Sequence, residues 1–189
     1  IVEAFSRPRI NGINAITIHE GDQLLEVKLT NGQSEVLLAN KNGRAIRFNE
    51  TKVRAMGRSA AGVSGMKLDD ENDEIIGLVT VDPTDPTTTI LVISAKGNGK
   101  RSSLEDYRVT NRSGKGVKTL QISDKTGNTV AMKSVNDDDD LLITTSDGII
   151  IRMNVSDIRV SGRATQGVKV IRLDGNDSIA DVEVMKRAE

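Results

Sequence analysis

The chain writes one segment three times, and a sequence that repeats itself has to fold as a row of like units. Lys41 to Leu68, Lys96 to Ile122 and Asp147 to Leu173 each read as a tight glycine turn, a short basic strand, a nine-residue connection, the motif Arg-x-x-x-Gly-Val and a final alternating strand. The anchors are Arg58/Gly62/Val63, Arg112/Gly116/Val117 and Arg163/Gly167/Val168. A truncated fourth copy lies at Arg9 to Ile18, with Gly12 at the anchor, so the anchor glycines stand 50, 54 and 51 residues apart. A period near 50 with several short strands per unit implies propeller-like blades, each a four-stranded antiparallel sheet, in an all-β chain.

Period-two patterns place the strands within the units. Leu25, Val27 and Leu29 alternate with Glu26, Lys28 and Thr30, the pattern of a half-buried strand, and Asn31-Gly32 follows as a two-residue hairpin signal. Further strands are expected at Ile13 to Ile18, Glu35 to Ala39, Arg44 to Phe48, Ile75 to Val81, Thr89 to Ser94, Thr129 to Val135, Leu141 to Thr145, Ile149 to Met153 and Ile179 to Met185. No stretch holds a helical period. The expected organisation is a single repeat domain: 1–20 as the end of a preceding blade, 21–68, 69–122 and 123–173 as blades, and 174–189 as a closing strand. The array opens mid-unit and ends after one strand, so strands are expected to be shared between neighbours. A start on Ile1 rather than Met is expected of a piece of something longer.

The charge is banded along the sequence. Residues 41–58, 96–118 and 152–172 hold 18 of the 26 lysines and arginines but only four of the 27 acids. A net charge of −1 therefore hides one basic segment per repeat, and equivalent segments in equivalent places make a basic rim that attracts polyanions. Glycines beside these arginines are expected to let phosphates approach backbone N–H groups. Only Phe5, Phe48 and Tyr107 are aromatic, which argues against an interaction module anchored by exposed aromatics and against single-strand binding on stacking platforms.

Chemistry-bearing constellations are sparse. There is no cysteine, so disulfides and thiolate metal sites are excluded. Asp137 to Asp140 reads as a solvated turn, His19 as a lone surface residue, and Gly97-Asn98-Gly99-Lys100 as a hairpin turn lacking the spacing of a phosphate loop. No nucleophile, base or metal cluster points to an enzyme. With no signal peptide and no apolar run near the ~20 residues of a membrane span, a cytoplasmic protein without membrane contact is expected.

Val53 to Leu68 (VRAMGRSAAGVSGMKL), preceded by Gly43 to Phe48 (GRAIRF), resembles the C-terminal DNA-wrapping domain of the A subunit of bacterial DNA gyrase (gyrase A), and Phe5 to Ile13 (FSRPRINGI) and the later Arg-x-x-x-Gly-Val copies are similar to its other blades. The resemblance implies a β-pinwheel, propeller-like with exchanged strands, that bends double-stranded DNA around its basic rim. It implies as partners the remainder of gyrase A, together with gyrase B, in an A2B2 complex where ATP and Mg act elsewhere; no cofactor is expected here. The family's box Gln-Arg-Arg-Gly-Gly-Lys-Gly has no counterpart in this sequence. The family's catalytic tyrosine belongs to another region, and Tyr107, standing where the other copies have Val53 and Ile158, reads as a packing residue. The expected DNA contacts are Arg44, Arg47, Arg54, Arg58, Lys100, Arg101, Arg108, Arg112, Lys115, Arg152, Arg159 and Arg163. The C-terminal domain of topoisomerase IV, with fewer blades of similar kind, and a propeller-like protein-interaction module are the alternatives.

Overall fold

The computed structural model describes residues 2–7 and 9–186. Eleven strands form: β1 (Glu35–Asn40), β2 (Arg44–Asn49), β3 (Ile75–Val81), β4 (Thr89–Ser94), β5 (Asn98–Ser103), β6 (Val117–Lys118), β7 (Thr129–Val135), β8 (Asp140–Thr145), β9 (Ile150–Asn154), β10 (Val168–Lys169) and β11 (Ile179–Met185). Short 3-10 turns at Glu50–Lys52, Leu104–Asp106 and Val155–Asp157 follow β2, β5 and β9, and another lies at Val2–Phe5. No α-helix forms among the described residues, and none of their helices is long and apolar enough to cross a membrane.

The strands make three antiparallel sheets, ordered β3-β1-β2-β6, β10-β5-β4-β7 and β11-β8-β9. Each is a hairpin flanked by strands from later in the chain. The hairpin β1–β2 turns at Gly43, whose φ of 78° a side chain would resist. It is flanked by β3 and by β6, which begins at Val117 directly after the anchor Gly116. β5 gains β10 after Gly167 in the same way. The third sheet has three strands rather than the expected four among the described residues.

Burial explains the patterns. β4 (TILVIS) reads as an apolar run because its sheet is covered on both faces: Ile90 and Val92 pack with Leu37, Val79, Tyr107 and Met132, whereas Leu91 and Ile93 pack with Leu141, Ile143, Ile158 and Val182. β1 alternates, with Leu37 and Ala39 toward the second sheet, while Val36 and Leu38 pack against the outer group of Ile46, Phe48 and Met66. Full burial of each large apolar side chain contributes about 1.5–3 kcal/mol. Tyr107 is buried as its repeat position implies, its hydroxyl 2.5 Å from Thr119 Oγ1. β7 lies between β3 and β11, so these strands form a hub, and the basic strands β2, β5 and β9 lie on the side of each hairpin away from it.

Two expected strands do not form. Leu25, Val27 and Leu29 are exposed and carry no strand, because their counterparts β3, β7 and β11 each pair with the hairpin of the copy before, and no such hairpin precedes residue 25 among the described residues. Asn31-Gly32 is consequently a turn without a hairpin, capped by the Glu50 carboxylate, which accepts from Gly32 N at 2.9 Å and Ser34 N at 2.7 Å. Ile13 to Ile18 is likewise irregular, touching the connection after β2 through Thr17 N to Ala60 O at 3.2 Å. The alternating strands after Gly-Val shorten to the two-residue β6 and β10. The residues 97–100 are mostly strand rather than turn, since β5 starts at Asn98. Nor is Asp137 to Asp140 a wholly solvated turn. Asp139 and Asp140 are buried, Asp139 accepting from Asn136 N at 2.8 Å and facing Lys186 Nζ at 2.6 Å. His19 is exposed.

Candidate nucleic-acid interface

The two junctions between successive sheets are made of the same bonds. Thr110 N donates to Arg47 O at 2.8 Å and Ser161 N donates to Arg101 O at 2.8 Å, giving parallel bridges Arg47–Val109 and Arg101–Val160. Arg108 and Arg159, one residue before the bridges, thus take equivalent places, and Arg54 is their counterpart in the first copy. These three and Arg58 are exposed and make no ion pair among the described residues.

Other expected contacts are turned inward. Arg47 is nearly buried, ion-paired with the buried Glu35, and its Nη1 donates to Leu104 O at 2.7 Å and Tyr107 O at 3.0 Å on the next blade. Arg101 repeats this, with Nε donating to Ile158 O at 2.6 Å and Nη1 to Asp137 Oδ1 at 2.5 Å. Both are clasps between blades, because β2 and β5 lie against the following copy. Lys100 is 1% exposed, where the other copies carry Ile46 and Ile151. Its Nζ donates to Gly162 O at 2.8 Å and to Ser102 Oγ at 3.1 Å, and burial pulls its pKa down to about 8, with Asp106 opposing the shift and Arg163 adding to it. These three have no group to offer a phosphate.

The remaining expected residues lie between those extremes. Arg44 Nε is 3.1 Å from Asp69 Oδ2, and Lys115 Nζ is 3.6 Å from Asp69 Oδ1. Arg152 is exposed and paired with Asp140, its Nε 2.9 Å from Oδ2, for no following blade receives it among the described residues. Arg112 and Arg163 reach back to the carbonyls of the preceding copy: Arg112 to Lys52 O (3.1 Å) and Ser64 O (2.9 Å), Arg163 to Asp106 O (2.8 Å) and Lys118 O (2.7 Å). Exposed Lys52, which the repeat pattern does not mark, joins this surface. A lysine found in one copy alone gives no repeat signal.

The anchor glycines at these junctions sit where the backbones of two blades meet. A Cβ on Gly116 would stand 2.3 Å from Ala45 O, and one on Gly167 2.5 Å from Gly99 O, so both serve the approach of one blade's backbone to the next.

The sequence profile described as DNA gyrase C-terminal domain, beta-propeller, matches residues 34–82, 88–136 and 139–184. The chain belongs to the DNA gyrase C-terminal domain family. Each matched stretch holds one hairpin and the long strand that pairs with it, and the second and third also hold β6 and β10, which join the sheet before. Over 182 residues the chain is 42% identical to the gyrase A polypeptide of Staphylococcus aureus strain MRSA252, covering 96% of this chain and 20% of that one. It thus spans about a fifth of that relative. Among solved structures, the C-terminal domain of DNA topoisomerase IV superposes with a TM-score of 0.89 at 27% identity, covering 98% of this chain and 57% of that one. The DNA gyrase A C-terminal domain superposes with a TM-score of 0.81 at 27% identity, covering 92% and 58%.

Proposed function

We propose that this member of the gyrase C-terminal domain family binds double-stranded DNA along the rim marked by Arg54, Arg108 and Arg159 and bends it. The observation that carries the reading is the recurrence, in an equivalent place in each copy, of an exposed arginine with no ion pair among the described residues. Bending 20–30 base pairs costs on the order of 1–6 kcal/mol, so contacts from several blades have to add up before DNA curves around them. Phosphate contacts of this kind do not read sequence.

Within a whole gyrase, the chain would act as one repeat domain of gyrase A in a cytoplasmic A2B2 complex with gyrase B. It would curve the flanking DNA and deliver it for ATP-dependent strand passage that introduces negative supercoils. The catalytic tyrosine and the ATP and Mg sites would lie in other parts of that assembly. The higher TM-score with the topoisomerase IV domain favours a second reading, the same rim serving a weaker wrap in that enzyme.

Relaxed circular plasmid tests both readings. The chain alone is expected to leave topology unchanged, and with a separate nicking-closing enzyme to shift linking number at most modestly. Relaxation or supercoiling by the chain alone overturns the proposal. A linking number wholly unmoved in spite of tight duplex binding favours the topoisomerase IV reading.

A further inference from the structure

The junctions are built alike but charged differently. Lys52 and Asp106 are equivalent, each closing the 3-10 turn after its hairpin and each offering its backbone carbonyl to the next copy's anchor arginine. One position therefore carries an ammonium at the first junction and a carboxylate at the second.

At the first junction Lys52, Asn111, Arg112 and Ser113 line an open cleft of about 340 Å³. Lys52 is exposed and its ammonium has no partner among the described residues. Arg112 directs Nε and Nη1 to carbonyls, with Nη1 also 3.1 Å from Ser113 Oγ, which fixes its guanidinium plane and leaves Nη2 without a partner among the described residues. Ser113 is held at a φ of 66°, its N donating to Gly65 O at 2.6 Å and its Oγ to Ser64 O at 2.8 Å, so this wall of the cleft is set by the neighbouring copy. At the second junction the same positions are Asp106, Gly162, Arg163 and Ala164. The amide and the hydroxyl are gone, and two positive charges have become one of each sign. At these positions an anion meets two positive charges at the first junction and a mutually offset pair at the second.

We propose that the first-junction cleft seats a backbone phosphate of duplex DNA, held by Lys52 and Arg112, and that the second junction does not, so the rim grips DNA more firmly at one junction than at the other. This rests on the duplex-binding reading above. Each phosphate contact adds about 0.9 to the slope of log affinity against log salt, which amounts to about eightfold in affinity at 0.1 M relative to 1 M salt.

The test measures binding of this chain to a short duplex across a salt series. Lys52→Gln is expected to flatten the slope by about 0.9, with thermal unfolding unchanged because the side chain is exposed and the bonded group is the backbone carbonyl. Lys125→Gln, an exposed lysine away from the cleft, is expected to keep the wild-type slope. Asp106→Lys is expected to tighten binding and steepen the slope, and Asp106→Asn to tighten it by less. A Lys52→Gln slope equal to wild type, or a Lys125→Gln loss of the same size, overturns the assignment while leaving duplex binding intact. A wild-type chain without salt-dependent duplex binding overturns the underlying reading as well.

Discussion

Gly116 has a φ of 71° and its α-carbon faces Ala45 O, so a methyl group there meets backbone strain and backbone atoms together. Gly116→Ala is expected to cost about 2–5 kcal/mol, combining about 1–2 for the left-handed conformation with about 1–3 for overpacking. Gly62, with a φ of 91° and open space around it, carries only the first cost, about 1–2 kcal/mol. Urea unfolding of the two variants separates the terms. Lys100 gives a prediction in pH. Its folded pKa of about 8 lies below the ordinary 10.5, so between those values the unfolded chain holds a proton that the folded chain releases, and stability rises with pH from about 8. Below pH 8 the cost of burying the charge is fully present. Toward pH 10 and beyond, Tyr107, its pKa raised by burial, works in the opposite direction, because the folded chain keeps that proton. Lys100→Ile, the residue of the other two copies, is expected to stabilise the fold at pH 7 by about 1–3 kcal/mol and to remove the rise above pH 8, read from unfolding across pH.

Strands β2 and β5 owe their places to what lies behind them. Arg47 joins β2 to Glu35 on β1 and to the carbonyls of Leu104 and Tyr107 on the next blade, all out of water. Arg47→Met leaves a buried carboxylate unpaired and is expected to cost about 3–5 kcal/mol, and adding Glu35→Leu is expected to recover most of that loss in denaturant unfolding. Arg101→Met is expected to cost less, about 1–3 kcal/mol, because Asp137, its acidic partner, has its side chain 76% exposed and rehydrates when left alone. The same strands show where period-two reading stops. It places a strand at 44–48 and makes Arg47 one of its side chains, but the residue that covers Arg47 lies some 60 positions later.

Across the whole molecule the rim is a discontinuous row of charges. Arg54, Arg108 and Arg159 are expected to contribute additively to duplex binding because successive blades separate them and they share no bonded partner. Replacing all three with glutamine is expected to flatten the salt slope by about 2.7, near 0.9 for each, and to weaken unrelated DNA sequences alike. Strong sequence preference, or a slope unchanged in the triple variant, removes them from the interface.

Repetition was enough to read the all-β class, the hairpins at Gly43 and Gly97, the packing role of Tyr107 and the presence of one basic segment per unit, because each depends on local spacing that recurs near every 50 residues. The tertiary structure alone decided which basic residues face water. Arg47, Arg54, Arg101 and Arg108 look alike in sequence, yet Arg47 and Arg101, on β2 and β5, are covered by the next blade and act as clasps, whereas Arg54 and Arg108, in the connections after the 3-10 turns, are exposed. It also decided that residues 25–29 form no strand, since a strand requires a partner edge as well as an alternating pattern, and that Gly116 and Gly167 bring blades together, since only the folded chain places Ala45 and Gly99 against them. Pairing and burial are relations between distant segments, and no local pattern carries them.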